Sequence, residues 1–551
     1  MANRTACFSK SLVLLLLSFC LLVGCGDSAS QTESQGENPS SVVEVSKVPI
    51  TLAYTATDSL NPYLAKTKTN QELAKLLYDG LMVLDSSMTA HLRLAKAIEN
   101  KGTTVTVTLK DAKFSDGSPV TAKDVIGSYR AALEGEYLSY KDDFKNVKEI
   151  SQTSSGAVLF ELEYEDPYFV NFLDFPVYKQ GSEDKQNTDN KSLPPVGCGR
   201  YLFHEEKGSY WLTANPHWWG GTVATNKVNL MNLPDDDAIH HAVQVGTVQW
   251  YYSDLQTGTL PGGLTTLSKQ VPLQNLVFVG CNMNSGAVSR REVRLAISYA
   301  ISRQTVSETA YFGAAIPAKG MYPAGLEVVS GLQTLEAQSE KQTALSWLEK
   351  AGYTKTDKDG YRKKGDQSFS VRIIYNKEND ARASLASLLA TQLKDIGCKV
   401  KLEPLSFANY QNSVKHGYYD LYIGEMRIPD NLDLYPFLTA GGLITPNVSE
   451  KPVTQVSSDP LIGGEGADGG ILGTQEGADD PSVAIRAAYR YHTGKGSLTE
   501  MVSCFNEQLP VIPICHRTGM LLYANTISGV PAPLADDPFG GMEGCTIQSK
   551  E

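Results

Sequence analysis

The chain is short of several things, and each shortage removes a class of function. Beyond its first 24 residues no window is apolar for long enough to make a membrane-spanning helix, which takes roughly 20 residues. GxSxG, HExxH and GxxxxGKS/T are all absent, so the common hydrolase, zinc-protease and nucleotide signatures are missing. Positive charge is scarce: 49 Lys and Arg stand against 61 Asp and Glu, a formal net charge of −12. A nucleic-acid partner needs a basic face for its phosphates, so none is expected, and an anionic lipid surface is also a poor match. Cysteine is sparse, with nine in 551 residues and no CxxC spacing.

Metal and cofactor motifs fail on inspection. Asp236 and His240 stand four apart in a helical stretch, but no second pair joins them, and capping is the better reading. Asp357-Lys358-Asp359-Gly360 opens like a calcium loop but lacks the closing Glu, so it reads as a hairpin turn. Gly464-Glu465-Gly466-Ala467-Asp468-Gly469 spells GxGxxG, yet follows no strand. No metal and no cofactor is expected.

The first 24 residues carry Arg4 and Lys10, then the apolar run Leu12–Val23 of twelve residues, too short for a span. They read as a signal peptide. Leu22-Val23-Gly24-Cys25 resembles the bacterial lipobox, which implies that Cys25 becomes the lipid-modified first residue of the mature protein. Residues 25–46 are polar and rich in Ser, a flexible tether. About 527 residues remain, carrying −14 once Arg4 and Lys10 are gone. One core stops growing near ~250–300 residues, so at least two domains are expected. The six cysteines Cys198, Cys281, Cys398, Cys504, Cys515 and Cys545 read equally as small buried residues or as bridge formers; a required disulfide is not expected in a chain this long.

Along the body, Ile50–Thr55 reads as a strand, Gln71–Tyr78 as a helix, and Thr103–Leu109, alternating Thr and Val, as a half-buried strand. Thr121 and Asp124 are spaced as a capping box. Asp235-Asp236-Asp237 precedes a helix that runs to Val245. Leu385, Leu388, Leu389 and Leu393 form a helical stripe that Gly397 ends before a strand, Lys399–Leu405. Alternating strands and helices argue for α/β units. Residues 441–480 hold nine glycines and few apolar residues, a long irregular insertion.

The most telling stretch is Ser406–Leu438. Ser406 suits an N-cap, a helix ends near His416-Gly417, and Tyr418–Met426 reads as a strand. That strand runs into Arg427-Ile428-Pro429-Asp430-Asn431-Leu432-Asp433. A free strand ending beside a carboxylate could add an extended peptide as a further strand and neutralise its amino terminus. Met426, Arg427, Ile428 and Asp430 are the candidate ligand contacts.

An ordered set of motifs carries a family resemblance: Ser59-Leu60-Asn61-Pro62, Tyr78-Asp79-Gly80-Leu81, Phe114 through Val125, Pro195-Val196-Gly197-Cys198-Gly199-Arg200-Tyr201, Asn215-Pro216-His217-Trp218-Trp219-Gly220-Gly221, Arg291–Arg303, Ala351-Gly352-Tyr353 and Leu388–Val400. In that order they resemble the extracellular solute-binding proteins of oligopeptide, dipeptide and nickel ABC importers. The resemblance implies an α/β fold of periplasmic-binding-protein type, two lobes with a hinge. It divides the chain into a first lobe from residues 47–82, 190–280 and 500–545, an appended subdomain at 83–189, and a second lobe at 281–499. Hinge crossings would fall near 279–284 and 504–513. It implies a monomeric binder, not an enzyme, that delivers peptides to a permease driven by ATPase subunits, lipid-anchored on the outer or periplasmic side of the membrane. Asp430 falls where the family's carboxylate binds a peptide α-ammonium, and Asp433 at the acid that follows it. Arg427 stands where the family often has Trp, and could pair with a ligand carboxylate or with Asp430 itself. That departure leaves room for a nickel chelate, an oligosaccharide or another solute; a secreted enzyme or adhesin is the remaining alternative.

Overall fold

The computed structural model describes residues 48–135, 140–183, 193–255, 262–263, 265–283, 286–439 and 482–548. The signal peptide, Cys25, the tether and the glycine-rich segment 441–480 with its GxGxxG motif lie outside the described residues. Among the described residues no helix is long and apolar enough to cross a membrane.

Two long strands hold the architecture together. Thr266–Cys281 and Val511–Ala524 are antiparallel neighbours in a seven-stranded sheet. Trp250–Ser253 flanks them on one side; on the other follow Leu421–Arg427, Ser370–Asn376 and Lys399–Leu405. The register of the long pair slips between Pro272 and Leu276 and again between Val277 and Phe278. Proline brings no N–H to a ladder, and such slips bend and twist the strand.

The bend separates two hydrophobic cores. Val271, Leu521 and Ala524 pack into the first, while Val277, Val279, Cys281, Ile512, Ile514 and Cys515 pack into the second. Both strands therefore change core within their length, between residues 271 and 277 and between 515 and 521. Likewise helix Leu498–Gln508 packs through Met501, Val502 and Phe505 with Tyr422 and Leu434. The return to the first core thus begins after it.

On the first side, Ile50–Tyr54 pairs in parallel with Lys227–Asn232, which continues antiparallel into Ser209–Ala214 and Tyr201–Glu206. A four-stranded antiparallel sheet, ordered Ala95–Lys101, Thr104–Leu109, Val158–Leu162, Val147–Gln152, buries Val105 and Val107 as the Thr/Val alternation requires. Helix Ala122–Glu134 has the capping box, with Thr121 N donating to Asp124 Oδ2 at 2.9 Å. Its Tyr129 joins Phe144, Phe160 and Phe175 in a cluster continuous with Leu52 and Leu76. Residues of the segment 83–189 and of strand Ile50–Tyr54 thus share one core.

On the second side, helices Arg291–Ala300, Arg303–Ala310, Lys341–Lys350 and Asp380–Asp395 pack on the parallel strands. Arg294 and Arg303 are buried and reach main-chain carbonyls: Arg294 Nε donates to Gln508 O at 2.8 Å and Arg303 Nε to Pro513 O at 2.9 Å. They tie this helical pair to the start of the last long strand. The six cysteines from Cys198 to Cys545 are free thiols, all but Cys504 buried.

Candidate functional site

Where the long strands bend, the chain encloses a cavity of about 450 Å³. Leu273, Gln274 and Asn275 of the bent segment line it, with Tyr78–Gly80 and Arg93, Tyr140, Asp143 and Asp174, Arg427 and Asp430, and Ala535–Asp537. The conspicuous motifs build its first wall. Asp79 receives Arg93 Nη1 at 2.9 Å, Trp218 Nε1 at 3.1 Å and Trp219 Nε1 at 2.7 Å, so the Tyr-Asp-Gly-Leu and Trp-Trp motifs lock together. Gly80 lies against Asp174: a Cβ here would sit 2.3 Å from Asp174 O, which only glycine avoids. Arg200 Nη2 donates to Asp537 Oδ1 at 2.6 Å and Nη1 to Glu543 Oε2 at 3.1 Å. Burial would raise the Asp537 carboxyl, but Arg200 and Arg93 outweigh it and hold it down to about 2.

The opposite wall is the predicted stretch, with corrections. Ser406 stands at the N-cap of helix Phe407–Lys415, as its sequence suggests. The strand that follows is paired along the whole of one edge and at the start of the other. Its residues Leu421–Arg427 pair antiparallel with Cys281–Asn275 over their whole length, and Leu421 and Tyr422 also pair with Ile373 and Ile374. The side chains of Met426 and Ile428 are buried in the apolar cluster with Tyr322 and Tyr410, and Ile428 N is taken by Gln274 O at 2.9 Å. Pleating sends their side chains away from the cavity and Arg427 into it. Arg427 Nη2 donates to both oxygens of Asp430, at 3.0 and 3.2 Å, and Nε to Gln274 Oε1 at 3.1 Å. Of the two pairings the sequence left open for Arg427, the one with Asp430 is present. Asp433 is turned away: it accepts from Tyr435 N at 2.9 Å and pairs with His492 Nδ1 at 2.6 Å.

The two sides meet beside this wall. Asn171 Nδ2 donates to Asp430 O at 2.8 Å, and Asn431 Nδ2 to Asp166 Oδ2 at 2.9 Å. Met88 and Tyr168 of the first side also pack into the apolar cluster that holds Tyr322 and Leu432.

The electrostatics are lopsided. Glu72 is paired with Lys68 and Lys75, and Asp79 and Asp537 with arginines. Asp143, Asp174 and Asp536 also line the cavity, and none makes an ion pair among the described residues. Burial pushes Asp430 up to about 7; Arg427 opposes this, while Asp536 and Asp143 add to it. Burial raises Asp174 far above the carboxylate range, helped by Asp536 and Asp430. Asp143 is raised by burial too. Burial works against the Arg427 charge, but Asp430, Asp536 and Asp174 more than compensate. Arg427 is thus set among the acids Asp143, Asp174, Asp430 and Asp536, and burial favours the neutral form of Asp174.

Asp143, Asp174 and Asp536 escaped sequence reasoning. One signal was available: Asp174 stands inside Phe172-Leu173-Asp174-Phe175-Pro176-Val177, and an acid in an apolar run is a buried acid.

A family model described as bacterial extracellular solute-binding proteins, family 5 Middle, matches residues 89–442. The oligopeptide-binding protein AppA of Bacillus subtilis (strain 168) is 26% identical over 357 residues, covering 60% of this chain and 64% of AppA, just under two thirds of its length. The nickel-binding periplasmic protein of Escherichia coli (strain K12) is 24% identical over 432 residues, 72% of this chain and 80% of that protein. Among solved structures, that of a nickel ABC transporter from Bacillus halodurans superposes with a TM-score of 0.67 at 17% identity, covering 90% of this chain and 99% of that one. The likeness is one of fold, the two-lobe α/β architecture of periplasmic solute-binding proteins.

Proposed function

Since the chain belongs to the bacterial extracellular solute-binding proteins of family 5, we propose that it captures peptides outside the cytoplasm and hands them to a membrane permease powered by ATPase subunits. It acts as a monomer, tethered through a lipid on Cys25, and releases its ligand chemically unchanged. The observation that carries the peptide reading is the acidic end of the cavity, where Asp430 sits beside Asp143, Asp174 and Asp536. An α-ammonium supplies positive charge and donates a charge-assisted hydrogen bond to the partly buried carboxylate. Arg427, already held by Asp430, keeps that carboxylate oriented in the empty protein.

The geometry supports closure over the ligand. The cavity is lined from both sides of the bent strands, so a ligand that touches both lobes stabilises the closed arrangement over an open one. The lobes are the two cores described above, with the bends at 271–277 and 515–521 as the flexing points.

The test is calorimetry of a free-amine peptide and its N-acetylated form against wild type and Asp430→Asn. Breaking a buried charged pair costs about 3–5 kcal/mol, a loss of roughly a hundredfold to several thousandfold in affinity. The free-amine peptide should lose that much in the variant. The acetylated one should bind weakly to both proteins. Binding of the free-amine peptide within about threefold of wild type would exclude Asp430 as the amine anchor.

A further inference from the structure

The loop that carries Asp430 is strained and is held from several directions. It turns on the bond from Leu432 N to Pro429 O at 2.8 Å, and Leu432 takes a φ of 66°, left-handed backbone that a leucine rarely adopts. Its side chain is fully buried all the same. Such a residue persists only where its surroundings over-determine it. Here three successive carbonyls of the loop each accept from a different buried side chain. Asp430 O accepts from Asn171 Nδ2 at 2.8 Å, Asn431 O from Tyr491 Oη at 2.9 Å, and Leu432 O from Tyr322 Oη at 2.5 Å.

The donors come from both sides of the molecule. Tyr322 and Tyr491 belong to the apolar cluster of the second side. Asn171 lies in the turn Phe169–Phe172, whose phenylalanines pack into the first core. The loop returns one bond across the same gap, from Asn431 Nδ2 to Asp166 Oδ2 at 2.9 Å. Asn171, Tyr322 and Tyr491 are not among the residues that line the cavity. Asp430 is thus fixed at two levels: Arg427 bonds its carboxylate, and the three donors hold the main chain beneath it.

We infer that Asn171, Tyr322 and Tyr491 are positioning residues: they set where the Asp430 carboxylate stands, and so how well the cavity tells a charged amine from a neutral one. This rests on the reading that a ligand ammonium binds at Asp430, and it adds the residues that act through that carboxylate without touching the ligand. A role in packing alone has a different signature, since loss of a donor would then lower stability and leave the discrimination between amines untouched.

The experiment is calorimetry of Ala-Ala-Ala and its N-acetylated form on wild type, Tyr322→Phe, Tyr491→Phe and Asn171→Leu, with each change also made in the Asp430→Asn background. Phenylalanine and leucine keep the bulk and remove the donor. Wild type should prefer the free amine by about a hundredfold or more. Each single change should weaken the free-amine peptide by about three- to tenfold, the scale of one hydrogen bond, and the acetylated peptide by less than about twofold. In the Asp430→Asn background the same changes should cost less than about twofold, because the carboxylate they place is gone. Amide exchange over residues 425–436 should quicken in each single variant. Thermal melts show which variants are folded, and where one fails to fold the other two carry the test.

A preference for the free amine that survives at wild-type strength in the folded single variants overturns the inference and leaves the amine anchor standing. So does a loss that falls equally on both peptides, or one that persists in the Asp430→Asn background. If wild type binds neither peptide, shows no preference between them, or keeps its preference in Asp430→Asn, the amine anchor itself falls and the inference falls with it.

Discussion

Peptide affinity should fall steeply in acid, and the cavity sets the slope. The Asp430 carboxyl is pushed up to about 7 in the empty protein, by burial first and by Asp536 and Asp143 next, against Arg427. Asp174 faces it across the cavity and is raised as well. An acid with a raised pKa holds its proton up to that pH, and an ammonium binds only to the ionised form. Below pH 7 the proton and the ligand therefore compete. At pH 7 about half of Asp430 is ionised and at pH 5 about one part in a hundred, so the affinity should drop about fiftyfold across those two units. Above pH 8 the decline has another cause: the ligand's own α-amine, with a pKa of about 7.7–8.0, loses its charge. The optimum lies between the two, near neutrality. Calorimetry at pH 5, 6, 7 and 8 reads the profile, and repeating pH 6 in buffers of different ionisation enthalpy counts the protons released, which should approach one per ligand. A dissociation constant that changes by less than about threefold between pH 7 and pH 5, with no proton release, would refute the argument.

Two further outcomes are expected. Cys25→Ala should end incorporation of labelled fatty acid and either free the protein or leave its leader uncut, because the Cys follows the apolar run directly; labelling that persists would exclude the lipobox. Arg93→Ala should destabilise the fold by about 3 kcal/mol, since Asp79 and Asp537 are buried and lose a shared partner, while Arg200 still covers Asp537; urea unfolding with an unchanged slope reads this, and a loss under about 1 kcal/mol would show the pairing to be dispensable.

What could be read in advance was whatever is decided by neighbours in the chain. The capping box at Thr121 and Asp124 and the strand Lys399–Leu405 are local matters of φ/ψ and hydrogen bonding, and they stand where spacing put them. The pairing of Arg427 with Asp430, three apart, was open to the same reasoning. The surroundings of Leu421–Arg427 were not. Its buried run, Leu421 to Gly424, is covered on both faces by segments far away, so no alternation marks Met426 as core and Arg427 as cavity. The core exchange at Val271–Val277 was hidden likewise, because valine and leucine look the same whichever core receives them. Asp174 and Asp430 face one cavity from positions 256 residues apart, a relation that exists only after folding.

The strand Val511–Ala524 carries a consequence for the life of the molecule before it binds anything. Its first half completes one core and its second half the other, and its partners Thr266–Cys281 come some 240 residues earlier. Neither lobe has its full complement of side chains until this last strand arrives. A nascent chain emerging in order therefore waits, without a finished half, until almost all of it has been made. Contacts so distant in sequence form slowly. A chain cut before Val511 should therefore stay protease-sensitive along both of its halves.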